Sequence, residues 1–132
     1  MNASDLVHRL FEGYERGGVE AALEVVSTEA VLVVGPETSA EPDTYEGRDG
    51  ARRYFAGFEG ALDEVRFELL EIHEDSPSAV IGGVRLSGLG SATRIPVEQT
   101  VLMTFAVRDG LIVRIASHAD LESARAEVST QE

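Results

Sequence analysis

Apolar residues recur along this chain with two different periods, and the change from one to the other divides it. Near the start the spacing is helical: Leu6, Val7, Leu10, Phe11 and Tyr14 share one stripe, and Ser4 or Asp5 is placed to cap the first turn through a side-chain oxygen. Gly17-Gly18 ends that stripe, since glycine adopts the left-handed conformation common at helix ends. A second, shorter helix is predicted from Val19, Ala22, Leu23 and Val26, with Glu20 and Glu24 opposite. Val31-Leu32-Val33-Val34, bounded by Gly35-Pro36, reads as a strand covered on both faces. The polar stretch Glu37 to Thr44, which contains Pro42, reads as a mobile loop over a cavity. Ala51, Tyr54, Phe55 and Phe58 return to helical spacing and end near Gly60.

Beyond Gly60 the period falls to two. In Val65 to Glu74, Val65, Phe67 and Leu69 alternate with Arg66 and Glu68; Asp75-Ser76-Pro77-Ser78 then turns the chain into a strand from Ala79 to Ser87. Gly82-Gly83 at its centre predicts a bulge or bend, hence a curved sheet. After the turn at Gly88 to Thr93, Val97 to Val107 is the longest strand, and Arg108-Asp109-Gly110 predicts a type I turn closed by a glycine of positive φ. Leu111 to His118 completes the hairpin, and Leu121 to Val128 forms a closing helix or tail. Helix, helix, strand, helix and four antiparallel strands make an α+β fold, with the helices gathered on one side of a curved sheet.

Length and charge narrow the function classes. A chain of 132 residues fits one domain, 1–132, with one sizeable core. Against 24 acidic residues stand 11 basic ones, all Arg and scattered apart from Arg52-Arg53, so the formal net charge is -13. Such a field repels phosphate backbones and anionic lipid surfaces, which argues against a nucleic-acid or membrane partner. With no signal-peptide pattern and no run of about 18 apolar residues, no membrane span is expected. The absence of cysteine excludes disulfides and thiolate chemistry and fits a cytoplasmic location. His8, His73 and His118 are dispersed and no HExxH spacing occurs, so neither a metal nor another cofactor is expected.

The candidate chemistry gathers at the end of the last strand. His118 and Asp120 are two apart, so a continuing strand would place them on one face about 6.5 Å apart. A histidine beside a carboxylate suits proton transfer near neutrality. Asp120 equally suits the N-cap of the final helix, and His118 a hydrogen-bonded place in the wall. Arg85 offers a guanidinium for an oxyanion or a partner for a Glu across the sheet; Gln99 is a polar handle if the face of Val97, Val101 and Met103 lines a pocket. Tyr14 and Tyr54 sit on apolar helical stripes, where a phenol either polarises a ligand carbonyl or belongs to the core.

Tyr45-Glu46-Gly47-Arg48-Asp49-Gly50 before Tyr54-Phe55, and Arg108-Asp109-Gly110-Leu111-Ile112-Val113-Arg114 leading to Asp120, resemble the SnoaL-like branch of the NTF2-like superfamily; Tyr14-Glu15-Arg16-Gly17-Gly18-Val19-Glu20 fits the same pattern. The resemblance spans about residues 5 to 125 and implies a cone-shaped α+β barrel, a curved, mostly antiparallel sheet wrapped around the N-terminal helices, with an apolar pocket and homodimerisation through the outer sheet face. It implies a small apolar, oxygenated ligand and, where there is catalysis, an isomerase, cyclase or dehydratase acting by acid–base chemistry, with Asp120 at the position of the cyclases' acid/base. A non-catalytic binder and a protein-interaction module remain open, because a shared fold does not fix chemistry. Three departures count against named enzymes. Val34-Gly35-Pro36 offers no steroid-isomerase carboxylate, the paired histidines of a scytalone-type dehydratase are missing, and Ser87 stands two residues after Arg85, where an Asp-Arg-Asp relay needs an Asp.

Overall fold

A computed structural model describes residues 2–34 and 43–131. In chain order it contains α1 (Ala3–Ala22), a 3-10 turn (Leu23–Val25), β1 (Val26–Val34), β2 (Asp43–Glu46), α2 (Gly47–Ala61), β3 (Leu62–Asp75), β4 (Ala79–Gly90), β5 (Pro96–Arg108), β6 (Leu111–His118) and α3 (Leu121–Gln131). The six strands form one sheet in the order β2-β1-β6-β5-β4-β3. Every neighbouring pair is antiparallel except β1 with β6, which run parallel with Leu32 beside Ile115. The α+β architecture and helix-lined concave face agree with the sequence pattern.

The two expected N-terminal helices form one element with a break at Gly18, whose φ of 75° and ψ of -156° belong to a region that essentially only glycine occupies. The cap differs from expectation: the Asn2 side chain, rather than Ser4 or Asp5, accepts the Asp5 backbone N–H at 2.9 Å. Val26, assigned above to a helix face, starts β1. Its carbonyl accepts both Nε (3.2 Å) and Nη2 (3.1 Å) of Arg48, which ties the first turn of α2 to the sheet. Residues 37–42 of the expected mobile loop lie outside the described residues; Asp43 and Thr44 belong to β2.

The irregularity expected at the glycine pair lies in the strand opposite it. The β4–β5 register runs unbroken from Ala79 beside Ala106 to Leu89 beside Pro96, and the irregularities next to the glycine pair fall in the β3–β4 pairing, where Leu69 faces Val84 but Glu71 faces Gly83. Leu70 is the extra residue, and it is 42% exposed. Gly82 clears space for β3, since a Cβ there would lie 2.9 Å from Leu69 Cδ1. The β5–β6 turn is also tighter than expected. Asp109 and Gly110 both have positive φ (55° and 75°) between paired Arg108 and Leu111, the signature of a two-residue type I′ hairpin rather than type I.

The core lies between the concave face of the sheet and the apolar stripes of α1 and α2, where Leu6, Val7 and Leu10 meet Ala51, Tyr54 and Phe55 over Leu32, Val84, Phe105 and Ile115. The convex face is covered in part by α3, anchored by ion pairs of Arg114 with Glu127 (3.0 Å) and of Arg125 with Glu74. Ala124 of α3 and Ile81, Ala106 and Ala116 of the sheet are buried.

Candidate functional site

Strand alternation decides which side chains face the concavity. On β5, Gln99, Val101, Met103 and Phe105 point inward, so the face left open by the sequence is now assigned. They meet Val84 and Leu86 of β4, Phe67 of β3, Ile115 of β6, and Leu10, Phe11, Tyr14, Tyr54, Phe55 and Phe58 of the helices. Among the described residues two small voids remain there, of about 30 Å³ and about 20 Å³, with Tyr54, Phe67, Val84 and Met103 lining both. Each has room for about one water, but apolar walls offer it almost no hydrogen bonds.

The aromatic side chains form a connected cluster. Tyr14 stacks on Phe55 with centroids 5.2 Å apart and meets Phe67 edge-on at 5.0 Å; Tyr54 meets Phe55 and Phe58 edge-on at 5.3 and 5.2 Å. Offset and edge-to-face contacts of this kind hold rings in definite orientations. The Tyr14 hydroxyl donates to Glu59 Oε2 at 2.8 Å, linking α1 to α2 at the margin of the cluster. Burial, reinforced by this carboxylate, pushes the Tyr14 phenol pKa up; burial, with Tyr45 nearby, does the same for Tyr54. Both phenols are therefore neutral hydrogen-bonding groups. Tyr14, Tyr54 and Gln99 all lie on the interior side, as the apolar stripes and the β5 alternation require.

The other three candidates point elsewhere. Arg85 stands between the inward Val84 and Leu86, so its side chain emerges on the convex face, where Nη2 lies 3.5 Å from Glu68 and Nη1 3.7 Å from Glu98. This is the cross-strand pairing weighed above, not a pocket guanidinium. His118 also faces outward: its Nε2 is 3.3 Å from Oγ1 of Thr104, which sits between the inward Met103 and Phe105. Asp120 Oδ1 accepts the Ser123 backbone N–H at 2.8 Å, and its carbonyl accepts that of Ala124. Asp120 thus caps α3, and the Ser123 N–H holds its pKa below the usual carboxylate value. The expected acid–base pair is therefore not brought into the concavity, because the parity of β6 turns His118 outward and the cap occupies Asp120.

Two surface depressions adjoin this architecture. A trough of about 200 Å³ on the convex side is bordered by Glu71 and His73 of β3, Gly83 of β4, Thr100 and Leu102 of β5, and His118. His73 Nε2 lies 3.3 Å from Glu71 Oε1. A groove of about 480 Å³ runs between α1 and β3, and Phe11, Tyr14 and Phe67 line both it and the larger interior void. Glu59 is the functional candidate the sequence did not indicate, since nothing local marks an exposed helical glutamate as the partner of a tyrosine in another helix. Among the described residues no group of three or more His, Asp or Glu side chains is arranged to hold a metal ion.

The SnoaL-like domain family model matches residues 7–115, and the chain belongs to that family. Among solved structures, an NTF2-like protein from Burkholderia thailandensis is 22% identical, with a TM-score of 0.78 over 95% of this chain and 98% of that one. A Mycobacterium tuberculosis protein in complex with estradiol-17β-hemisuccinate is 15% identical, with a TM-score of 0.74 over 91% and 95%. A protein of ketosteroid isomerase-like fold from Catenulispora acidiphila, in complex with trimethylamine, is 13% identical, with a TM-score of 0.73 over 98% and 95%. At these identities the likeness establishes the fold alone. No curated protein sequence matches the chain significantly. Among the described residues no helix is long and apolar enough to cross a membrane.

Proposed function

We propose that this chain binds a small, largely apolar molecule carrying a hydrogen-bonding oxygen in its concave interior, without proton transfer by His118 and Asp120. The observation that carries this reading is the interior lining: hydrocarbon and aromatic rings, with the Tyr14 and Tyr54 phenols and the Gln99 amide as its polar groups. Apolar walls with a few placed polar groups suit ligands of this class. Ligand complexes of two structural neighbours, with an estradiol derivative and with trimethylamine, support the reading. With voids of about 30 and 20 Å³, binding requires rings of the cluster to move aside.

The test is a methyl-detected NMR titration with a neutral hydroxylated aromatic such as 1-naphthol. Saturable shifts at Leu10, Val84, Met103 and Ile115, unchanged in affinity in His118→Ala and Arg85→Ala, are expected; no saturable shift across a panel of such probes would sink the reading. One observation favours an acid–base enzyme instead, namely that His118 shares the convex trough with Glu71 and His73. That alternative requires the shifts to centre on the methyl groups of Leu70, Leu102 and Ala119 around His118.

Homodimerisation through the convex face is part of the same proposal, supported by Leu70 exposed beside a sheet surface that α3 leaves partly open. Light scattering that returns a monomer mass at high concentration would remove it. A cytoplasmic location, suggested by the cysteine-free sequence, is to be checked by fractionation.

A further inference from the structure

Phe11, Tyr14 and Phe67 separate the interior void from the α1–β3 groove, because each contributes surface to both. Of the three, Tyr14 has its free end fastened to another element, by the 2.8 Å hydrogen bond from its hydroxyl to Glu59 of α2. Its ring is wedged between Phe55 and Phe67, so turning it toward the groove breaks a stacked contact, an edge contact and that hydrogen bond together. The groove, at about 480 Å³, has room to receive a tyrosine ring. Turning the ring outward would also vacate its own volume beside the void.

We propose that Tyr14 is a door between the α1–β3 groove and the interior, and that Glu59 is the latch holding it shut. The inference rests on the interior binding reading above and adds the route by which a ligand reaches the site. Glu59 is exposed on α2 and is absent from the lining of the interior void, so it acts through Tyr14 as a positioning residue. The mouth also selects by charge. Glu12, Glu15 and Glu68 line the groove with Arg66 and His8; Arg66 lies 3.9 Å from Glu15 and Arg85 3.5 Å from Glu68, so three carboxylates stand against two guanidinium groups there. On a chain of net charge -13 this mouth disfavours anions, and the ligand class is neutral or cationic with an apolar body.

The test is stopped-flow binding of N-phenyl-1-naphthylamine, a neutral apolar fluorophore, to the wild type, Glu59→Ala, Tyr14→Phe and the double variant, with each unfolding midpoint measured. Tyr14→Phe keeps the ring and removes the hydroxyl, so it cuts the same latch from the other side. Each single variant is expected to raise the association rate about tenfold, a change on the scale of one charge-assisted hydrogen bond, and the double variant no further. Unchanged rates in both single variants, or additive gains in the double, overturn the latch and leave the binding reading intact. If neither the wild type nor Met103→Ala, whose interior is enlarged, binds the fluorophore saturably, the binding reading falls and the door falls with it.

Discussion

Met103 lines both interior voids, so truncating it should join them. Met103→Ala removes the side chain beyond Cβ, a loss of about two to three methylene equivalents at ~0.8 kcal/mol each, or about 2 kcal/mol of burial. If the structure does not collapse, the extra space of about 70 Å³ adds about 1.7 kcal/mol at ~24 cal/mol per Å³. The sum, about 3.7 kcal/mol, lies within the usual range of about 2–5 kcal/mol for such truncations and below the ~5–15 kcal/mol stability of a typical domain, so the variant should still fold. The enlarged cavity then approaches the size of engineered apolar cavities, ~150 Å³, that bind benzene. Urea denaturation with and without benzene measures both halves of the argument. Benzene at a hundred times its dissociation constant should restore about 2.7 kcal/mol in the variant and much less in the wild type. A loss below about 1 kcal/mol with no benzene-dependent recovery would falsify the contiguity of the two voids, since it would mean that the walls had closed over the missing atoms.

Other expectations can be read from single residues. Replacing Gly18 by Ala should destabilise by about 1–3 kcal/mol in urea titrations, because its backbone angles suit glycine alone, whereas Gly57→Ala on the exposed face of α2 should stabilise by about 0.5–1 kcal/mol. Tyr14 and Tyr54 have raised folded-state pKa values, so the stability they contribute is complete below the unfolded value of about 10 and is lost as pH rises through the folded values. Absorbance at 295 nm should therefore show a late stage coinciding with alkaline unfolding, diminished in Tyr14→Phe and in Tyr54→Phe; ionisation of both phenols near pH 10 in the folded protein would contradict their burial. For Asp120 the sign reverses. Its lowered pKa stabilises α3 above the unfolded value of about 3.9, and this is lost as pH falls through the folded value. Amide protection at Ser123 and Ala124 should drop on acidification in the wild type and become insensitive to pH in that range in Asp120→Asn.

Much of the fold could be read from the chain because hydrophobic period is a local property. The stripe of Leu6, Val7, Leu10, Phe11 and Tyr14 reappears as the core-facing side of α1, and from the alternation on β3 Phe67 and Leu69 pack half-buried against that core, while Val65 lines the α1–β3 groove. The elements that escaped depend on distant partners. β2 is four residues long and is a strand only because Thr44 and Tyr45 find Val33 and Leu32. Val26 satisfies a helical stripe as well as a strand, and the parallel pairing with β6 decides between them. At the site, alternation placed Gln99 with Val101 and Met103, and could equally have separated Arg85 from Val84 and Leu86 had the interior face been known. His118 shares a face with Arg114 and Ala116, as its spacing indicates, but which side that face takes depends on α3, which folds back along the convex surface and pairs Glu127 with Arg114. The Tyr14–Glu59 bond joins two helices across 45 positions of sequence and leaves no local trace.

The parallel contact between β1 and β6 bears on the order in which the molecule assembles. Strands β3 to β6 are joined in sequence as an antiparallel meander, so each pairing closes a short loop, whereas Leu32 can meet Ile115 only after nearly the whole intervening chain has been brought round. During synthesis β2 can pair with one edge of β1 soon after both are made, but the other edge of β1 waits for β6. Until β6 is complete, the apolar stripe of α1 lacks the finished wall against which it packs. The interior is thus the final product of folding, and a chain stopped before Leu111 should retain its helical segments while lacking any closed apolar interior.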